Sequence, residues 1–178
     1  KNKLKNYLIK INILILIIFT LMTIQAQTEK MMVPKKKPVP FKKPLKDWRD
    51  SEMIQNIIKQ NPIIEKIIMV ESSGNPKAQN KDSGARGLMQ IMKNTAELDT
   101  GFGVDYNLSY NELFDPEKNV MLGSDYYLGL KKYYGNDRDA LVAYNYGPGN
   151  ANDWLEQGGD VNSLPEETQN YLIKILGE

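Results

Sequence analysis

The 178-residue chain contains no cysteine and no histidine. Without cysteine there is no disulfide framework, no thiolate nucleophile and no lipidated N-terminal cysteine. Without histidine there is no Ser-His relay, no imidazole acid or base, and the commonest zinc ligand is missing. Acid–base chemistry near neutral pH therefore falls to Asp, Glu, Tyr or Lys with a shifted pKa. No metal set is legible: the acidic stretch Asp99-Thr100-Gly101-Phe102-Gly103-Val104-Asp105 lacks the alternation and the closing Glu of a calcium loop. Convincing β alternation is also absent, and so is any internal repeat. Neither a metal nor an organic cofactor is expected.

What is present is unevenly distributed. Residues 1–26 carry four Lys and no acid, and residues 27–44 carry six Lys and only Glu29. Residues 45–178 carry 13 Lys+Arg against 21 Asp+Glu, a net of −8 beneath an overall charge of +1. An acidic body with a basic lead argues against nucleic acid as the partner of the main domain.

The lead divides in two. Lys1, Lys3, Lys5 and Lys10 precede an apolar run from Ile11 to Ile24, with Ala26 as a small residue before a cleavage point. This reads as a signal peptide over 1–26, the alternative being an uncleaved N-terminal anchor. Residues 27–45 interleave Pro34, Pro38, Pro40 and Pro44 with lysines. Proline density and like charges predict an extended linker rather than a packed fold. Such a linker is a solvated spacer, or a contact with anionic envelope polymer or inner-membrane headgroups. Export to the periplasm or cell envelope is the expected destination.

From residue 46 the pattern turns helical, and 46–178 is expected to be one all-α domain. Helices are predicted near 48–60 and 62–72, with Gly74-Asn75-Pro76 stopping the second. Another is predicted from Gly87 across Leu88, Met89, Ile91, Met92 and Ala96. Residues 99–114 are expected to be irregular. Asp115-Pro116-Glu117 is a strong helix start, combining a capping acid, a first-turn proline and an acid at the positive dipole end. That helix should run to Tyr134. Asn136-Asp137 caps the next, which should end at Gly147-Pro148-Gly149. A short helix over Ala151–Gln157 and a last one over Pro165–Leu176 complete the chain.

Glu71 is the residue that asks for a job. Ile64, Ile68 and Glu71 are spaced +4 and +3 and share one helix face. Isoleucines beside it exclude water, and the carbonyls of the ending helix lie near it; both disfavour a carboxylate and raise its pKa. A carboxyl held neutral near pH 7 can protonate a leaving oxygen. The bland alternative is a solvent-reaching Glu at a frayed helix end. Three further motifs follow in order: Gly87-Leu88-Met89-Gln90-Ile91-Met92, Ala143-Tyr144-Asn145-Tyr146-Gly147-Pro148-Gly149, and Leu164-Pro165-Glu166-Glu167-Thr168 with Tyr171.

With Glu71-Ser72, these motifs in this order resemble the soluble lytic transglycosylases, enzymes with a goose-lysozyme-like fold that cut peptidoglycan. The resemblance covers about residues 55–176. It implies a lysozyme-like helical domain that cleaves the MurNAc-β-1,4-GlcNAc bond of glycan strands. Glu71 would act first as acid and then as base, closing a 1,6-anhydro ring. It also implies substrate-side roles for Ser72, Gln90, Met92, Ala143, Tyr144, Asn145, Glu167 and Tyr171. Ser72 would hold the site or a sugar acetamido group, and Met92 would contact N-acetyl groups unless it packs in the core. The loop from Ser72 through Met89 is one residue longer than the commonest family spacing, so either Asn80 or Ser83 could fill its polar contact. Two other readings stay open: a goose-type muramidase that ends the reaction with water, and a peptidoglycan-binding or assembly module without turnover.

Overall fold

The computed structural model describes residues 47–97 and 108–177. The expected signal peptide, the linker and the acidic stretch at 99–105 lie outside them. Among the described residues the architecture is helical: α1 (Glu52–Gln60), α2 (Ile63–Ser72), α3 (Lys93–Glu97), α4 (Pro116–Tyr134), α5 (Asp137–Tyr146), α6 (Pro148–Glu156) and α7 (Glu166–Leu176), with 3₁₀ turns at Trp48–Asp50, Tyr110–Phe114 and Val161–Ser163. The extended pairings are two isolated bridges, Gln79 with Arg86 and Arg86 with Ile91.

Helix starts follow local chemistry. The Asp115 side chain accepts from Lys118 N with Pro116 at the first position, and Asn136 accepts from Asp139 N. Each such cap contributes ~1 kcal/mol. Residues 48–60 do not form one helix, because buried Ser51 breaks the run. Its hydroxyl accepts from Ile54 N and donates to the Glu117 carboxylate at 2.6 Å, fastening the start of α1 to the first turn of α4. α6 begins at Pro148, three residues earlier than expected. Gly147 turns the chain at φ +91°, and Pro148 enters the helix at once.

α5 is the hub. Ala140, Leu141, Val142 and Ala143 are all fully buried, so apolar surface surrounds this helix, which packs against α4, α6 and α7. α2 lies against α7 and buries Ile64, Ile67 and Ile68 completely. α2 ends where Ser73 (φ +53°) and Gly74 (φ +75°) adopt left-handed backbone. Trp48, itself buried, donates its indole N–H to Gly74 O at 2.9 Å and braces that end. No helix of the described residues is long and apolar enough to cross a membrane.

The predicted helix from Gly87 is the main departure. Residues 78–91 form a folded loop, and helix starts only at Lys93. Leu88, Met89 and Ile91 are buried as expected, but a tight turn buries them. Gly87 (φ +79°) and Gln90 (φ +47°) adopt left-handed backbone, which a helix cannot accommodate. Arg86 and Ile91 exchange backbone hydrogen bonds across this turn. Tertiary contact decides the conformation: the Asn119 amide, fully buried in α4, donates to Arg86 O and Leu113 O and accepts from Met89 N.

Candidate active site

The end of α2, the 80–92 loop, the end of α5 and one face of α7 surround a cleft of about 560 Å³. Its walls include Glu71, Gln90, Met92, Tyr144, Asn145, Glu167 and Tyr171, joined by Val70, Asn80, Asp82, Ser83, Ala85 and Lys174. Seven of the nine residues singled out by sequence thus converge on one cavity. Asn80 and Ser83 both line it. Asn80 Oδ1 also accepts from Asp82 N and Ser83 N, which shapes the loop tip.

Ser72 and Ala143 stand elsewhere. Ser72 Oγ lies 3.0 Å from Ile68 O and 2.8 Å from Leu88 O. Its single proton serves either carbonyl, and the second contact ties the acid-bearing helix to the turn. Ala143 is fully buried on α5 and lets the neighbouring elements close against that helix.

Burial pushes the Glu71 carboxyl up from 4.5 to about 7. The Tyr171 hydroxyl opposes this by favouring the carboxylate, and the negative Glu167 adds to the rise. Tyr171 is 3% exposed, and its hydroxyl makes no hydrogen bond of standard geometry within the described residues. The oxygen is therefore close enough to influence Glu71 without being committed to it. Tyr144 donates to Met89 O at 2.9 Å and stacks at tilted and edge-on angles with Tyr126 and Tyr127. Burial, and after it the charge of Glu71, raise both the Tyr144 and Tyr171 phenols well above their usual range, so both stay neutral.

Gln90 holds its strained backbone with its own side chain, Nε2 donating to Gly87 O at 2.9 Å and Ala78 O at 3.3 Å. Gly87 has no room for a side chain: a Cβ there would sit 2.2 Å from Asn119 Nδ2 and 2.3 Å from Leu113 O. Arg86 stacks on Tyr110, 3.4 Å from the ring centroid, and donates to Tyr110 O and Asn111 Oδ1, anchoring the loop from behind. Sequence reasoning missed Asn119 because it sits in a helix and two of its three partners, Met89 and Arg86, lie 30 and 33 positions away in sequence. It also missed Lys174, which helical spacing does reveal: Glu167, Tyr171 and Lys174 follow at +4 and +3 on one face of α7. Among the described residues no group of acids is arranged to hold a metal ion.

This arrangement has the groups that acid–base chemistry needs: one carboxyl whose pKa burial raises to about 7, two neutral phenols, and carboxamides around one cavity. The family model described as "Transglycosylase SLT domain" matches residues 52–164, more than half of the chain. The chain belongs to the transglycosylase SLT domain family. Its domain is 36% identical over 116 residues to the soluble lytic murein transglycosylase of Escherichia coli strain K12, covering 60% of this chain and 18% of that protein. It is also 36% identical over 98 residues to the membrane-bound lytic murein transglycosylase E of Buchnera aphidicola, covering 53% of this chain and 44% of that one. The crystal structure of the 70-kDa soluble lytic transglycosylase of Escherichia coli superposes with a TM-score of 0.60 at 30% identity, covering 70% of this chain and 22% of that one. The SLT fold is thus the lysozyme-like helical architecture expected, and the chain spans between 18% and 44% of the length of these relatives. Glu167, Tyr171 and Lys174 lie beyond the matched 52–164 segment and complete the cleft from α7.

Proposed function

We propose that the chain is a peptidoglycan lytic transglycosylase that cleaves the MurNAc-β-1,4-GlcNAc bond with Glu71 as its single acid and base. One observation carries the reading: a carboxyl that burial holds protonated up to about pH 7 faces a polar, sugar-sized cleft in an SLT domain. Glu71 donates its proton to the glycosidic oxygen, the bond from that oxygen to C1 of the muramoyl sugar breaks, and GlcNAc leaves with a free 4-hydroxyl. The C6 hydroxyl oxygen of the same muramoyl sugar then bonds to C1, and its proton passes to the Glu71 carboxylate. The 1,6-anhydro ring closes, Glu71 is protonated again, and no water is consumed. An intramolecular hydroxyl gains from proximity and needs no second carboxylate to position water. Developing positive charge at C1 favours the ionised state of Glu71 at that moment, and the Tyr171 hydroxyl supports it.

In this reading Gln90, Met92, Asn145 and Tyr144 bind and orient the sugars. Ser72 and Ala143 act through the fold, one by clamping α2 to the 87–90 turn and the other by close packing. Glu167 tunes Glu71 from across the cleft. The substrate lies outside the cytoplasm, so residues 1–26 are read as the export signal or anchor and 27–45 as a tether to the envelope. A Glu71→Gln variant should fold and lose clearing of purified cell walls. Clearing at the wild-type rate would mean that another group is the acid.

A further inference from the structure

Lys174 lines the cleft from the last turn of α7, exposed, on the same face as Glu167 and Tyr171. It is the only cationic side chain among the described residues that line the cavity, beside Asp82, Glu167 and Glu71. The stretch 98–107, outside the described residues, contains no Lys or Arg. Among the described residues Lys174 forms no ion pair or hydrogen bond, whereas Lys66 in the neighbouring α2 is tied to Ile175 O at 2.8 Å. A cation near a helix C-terminus stabilises the dipole modestly, and that would account for Lys174 if it pointed into open solvent. Its place in the wall of the cleft, without an internal partner, calls for an external one.

The charge balance says which kind. Residues 45–178 carry a net of −8, and two of their acids, Asp82 and Glu167, stand in the cleft wall itself, so an anionic substrate meets repulsion at its approach. A muramoyl sugar carries acid on its lactyl arm: either the free lactyl carboxylate, or, where a peptide is attached through that carboxyl, the carboxylates of the peptide. We propose that Lys174 is a specificity-determining residue that pairs with a carboxylate carried on the lactyl arm of the substrate. This rests on the glycan-cleaving reading above and adds to it a preference for charged over neutralised strands. The pair forms at an exposed rim, so its contribution is modest, salt-sensitive and expressed in kcat/KM through KM.

The test compares wild type with Lys174→Gln on three forms of purified glycan strand: peptide-bearing, enzymatically freed of peptide so that lactyl carboxylates are bare, and peptide-bearing with every carboxyl coupled to methylamine. Lys174→Gln should lower kcat/KM about 3- to 5-fold, as an exposed ion pair allows, on the form whose carboxylate is read. The difference should vanish on the methylamide strands and shrink at high salt. Loss on peptide-bearing strands alone assigns the carboxylate to the peptide; loss on bare strands alone assigns it to the lactyl group. Lys174→Arg should retain the preference. An equal loss on all three forms, with a lower melting temperature, would mean that Lys174 serves only the helix, and no loss on any form would equally overturn the inference. If wild type cleaves none of the three, the glycan-cleaving reading falls as well, which is a distinguishable result.

Discussion

Glu71→Gln should make the domain more stable, and only above a defined pH. Burial raises the Glu71 pKa from 4.5 to about 7, so the folded state binds this proton more tightly than the unfolded chain does. Below about pH 4.5 both states are protonated and no penalty exists. Between about 4.5 and 7 the folded state holds more protons, and unfolding free energy falls as pH rises. Above about pH 7 the full penalty is present. Each tenfold in proton affinity corresponds to ~1.4 kcal/mol, which puts the limit near 3 kcal/mol. Partial solvent access at this half-buried site reduces that to about 2–3 kcal/mol. Glutamine keeps the shape and removes the charge. Denaturant unfolding of wild type and variant from pH 4 to 8.5 should therefore give curves that coincide at pH 4 and separate through pH 7. The gap at pH 8 should correspond to roughly 5–10 °C in melting temperature. A gap independent of pH, or a variant less stable than wild type at pH 8, would refute the claim that burial keeps this carboxyl neutral.

The neighbours of Glu71 should move the alkaline limb of the pH–rate profile, which lies near pH 7, in opposite directions. Tyr171→Phe removes a group that favours the carboxylate and should shift the limb upward, while Glu167→Gln removes a like charge and should shift it downward; shifts of the same sign would show that the two do not act through Glu71. Gly87→Ala should destabilise the fold by about 2–4 kcal/mol, because its methyl would meet Asn119 and the Leu113 carbonyl in a left-handed backbone; denaturant unfolding of a soluble variant checks this, and a change under ~0.5 kcal/mol would contradict the packing described.

Features decided by neighbouring residues were readable from the chain. Asp115-Pro116 and Asn136 start helices because a side-chain oxygen, a missing N–H and a favourable charge all act within one turn. Glu71 was legible because it follows Ile64 and Ile68 at helical spacing, and those isoleucines are buried as that spacing implies. The 87–92 stretch was not. Leu88, Met89 and Ile91 read as a helix face, yet Asn119 and Leu113, far along the chain, hold the backbone in a turn that only Gly87 permits. Ser72 shows the same limit: its type and position were apparent, but its hydroxyl faces a carbonyl 16 residues on rather than the cavity. Apolar spacing reports burial, and here it reported burial correctly while leaving the backbone that achieves it undetermined.

In the proposed reaction one carboxyl gives a proton and takes one back while the sugar's own hydroxyl, not water, closes on C1. Digestion of purified cell walls in ¹⁸O-labelled water, followed by mass spectrometry of the fragments, tests it most directly. Intramolecular closure should leave 1,6-anhydromuramoyl ends with no label incorporated. Reducing muramoyl ends carrying one ¹⁸O atom per cleavage would contradict it.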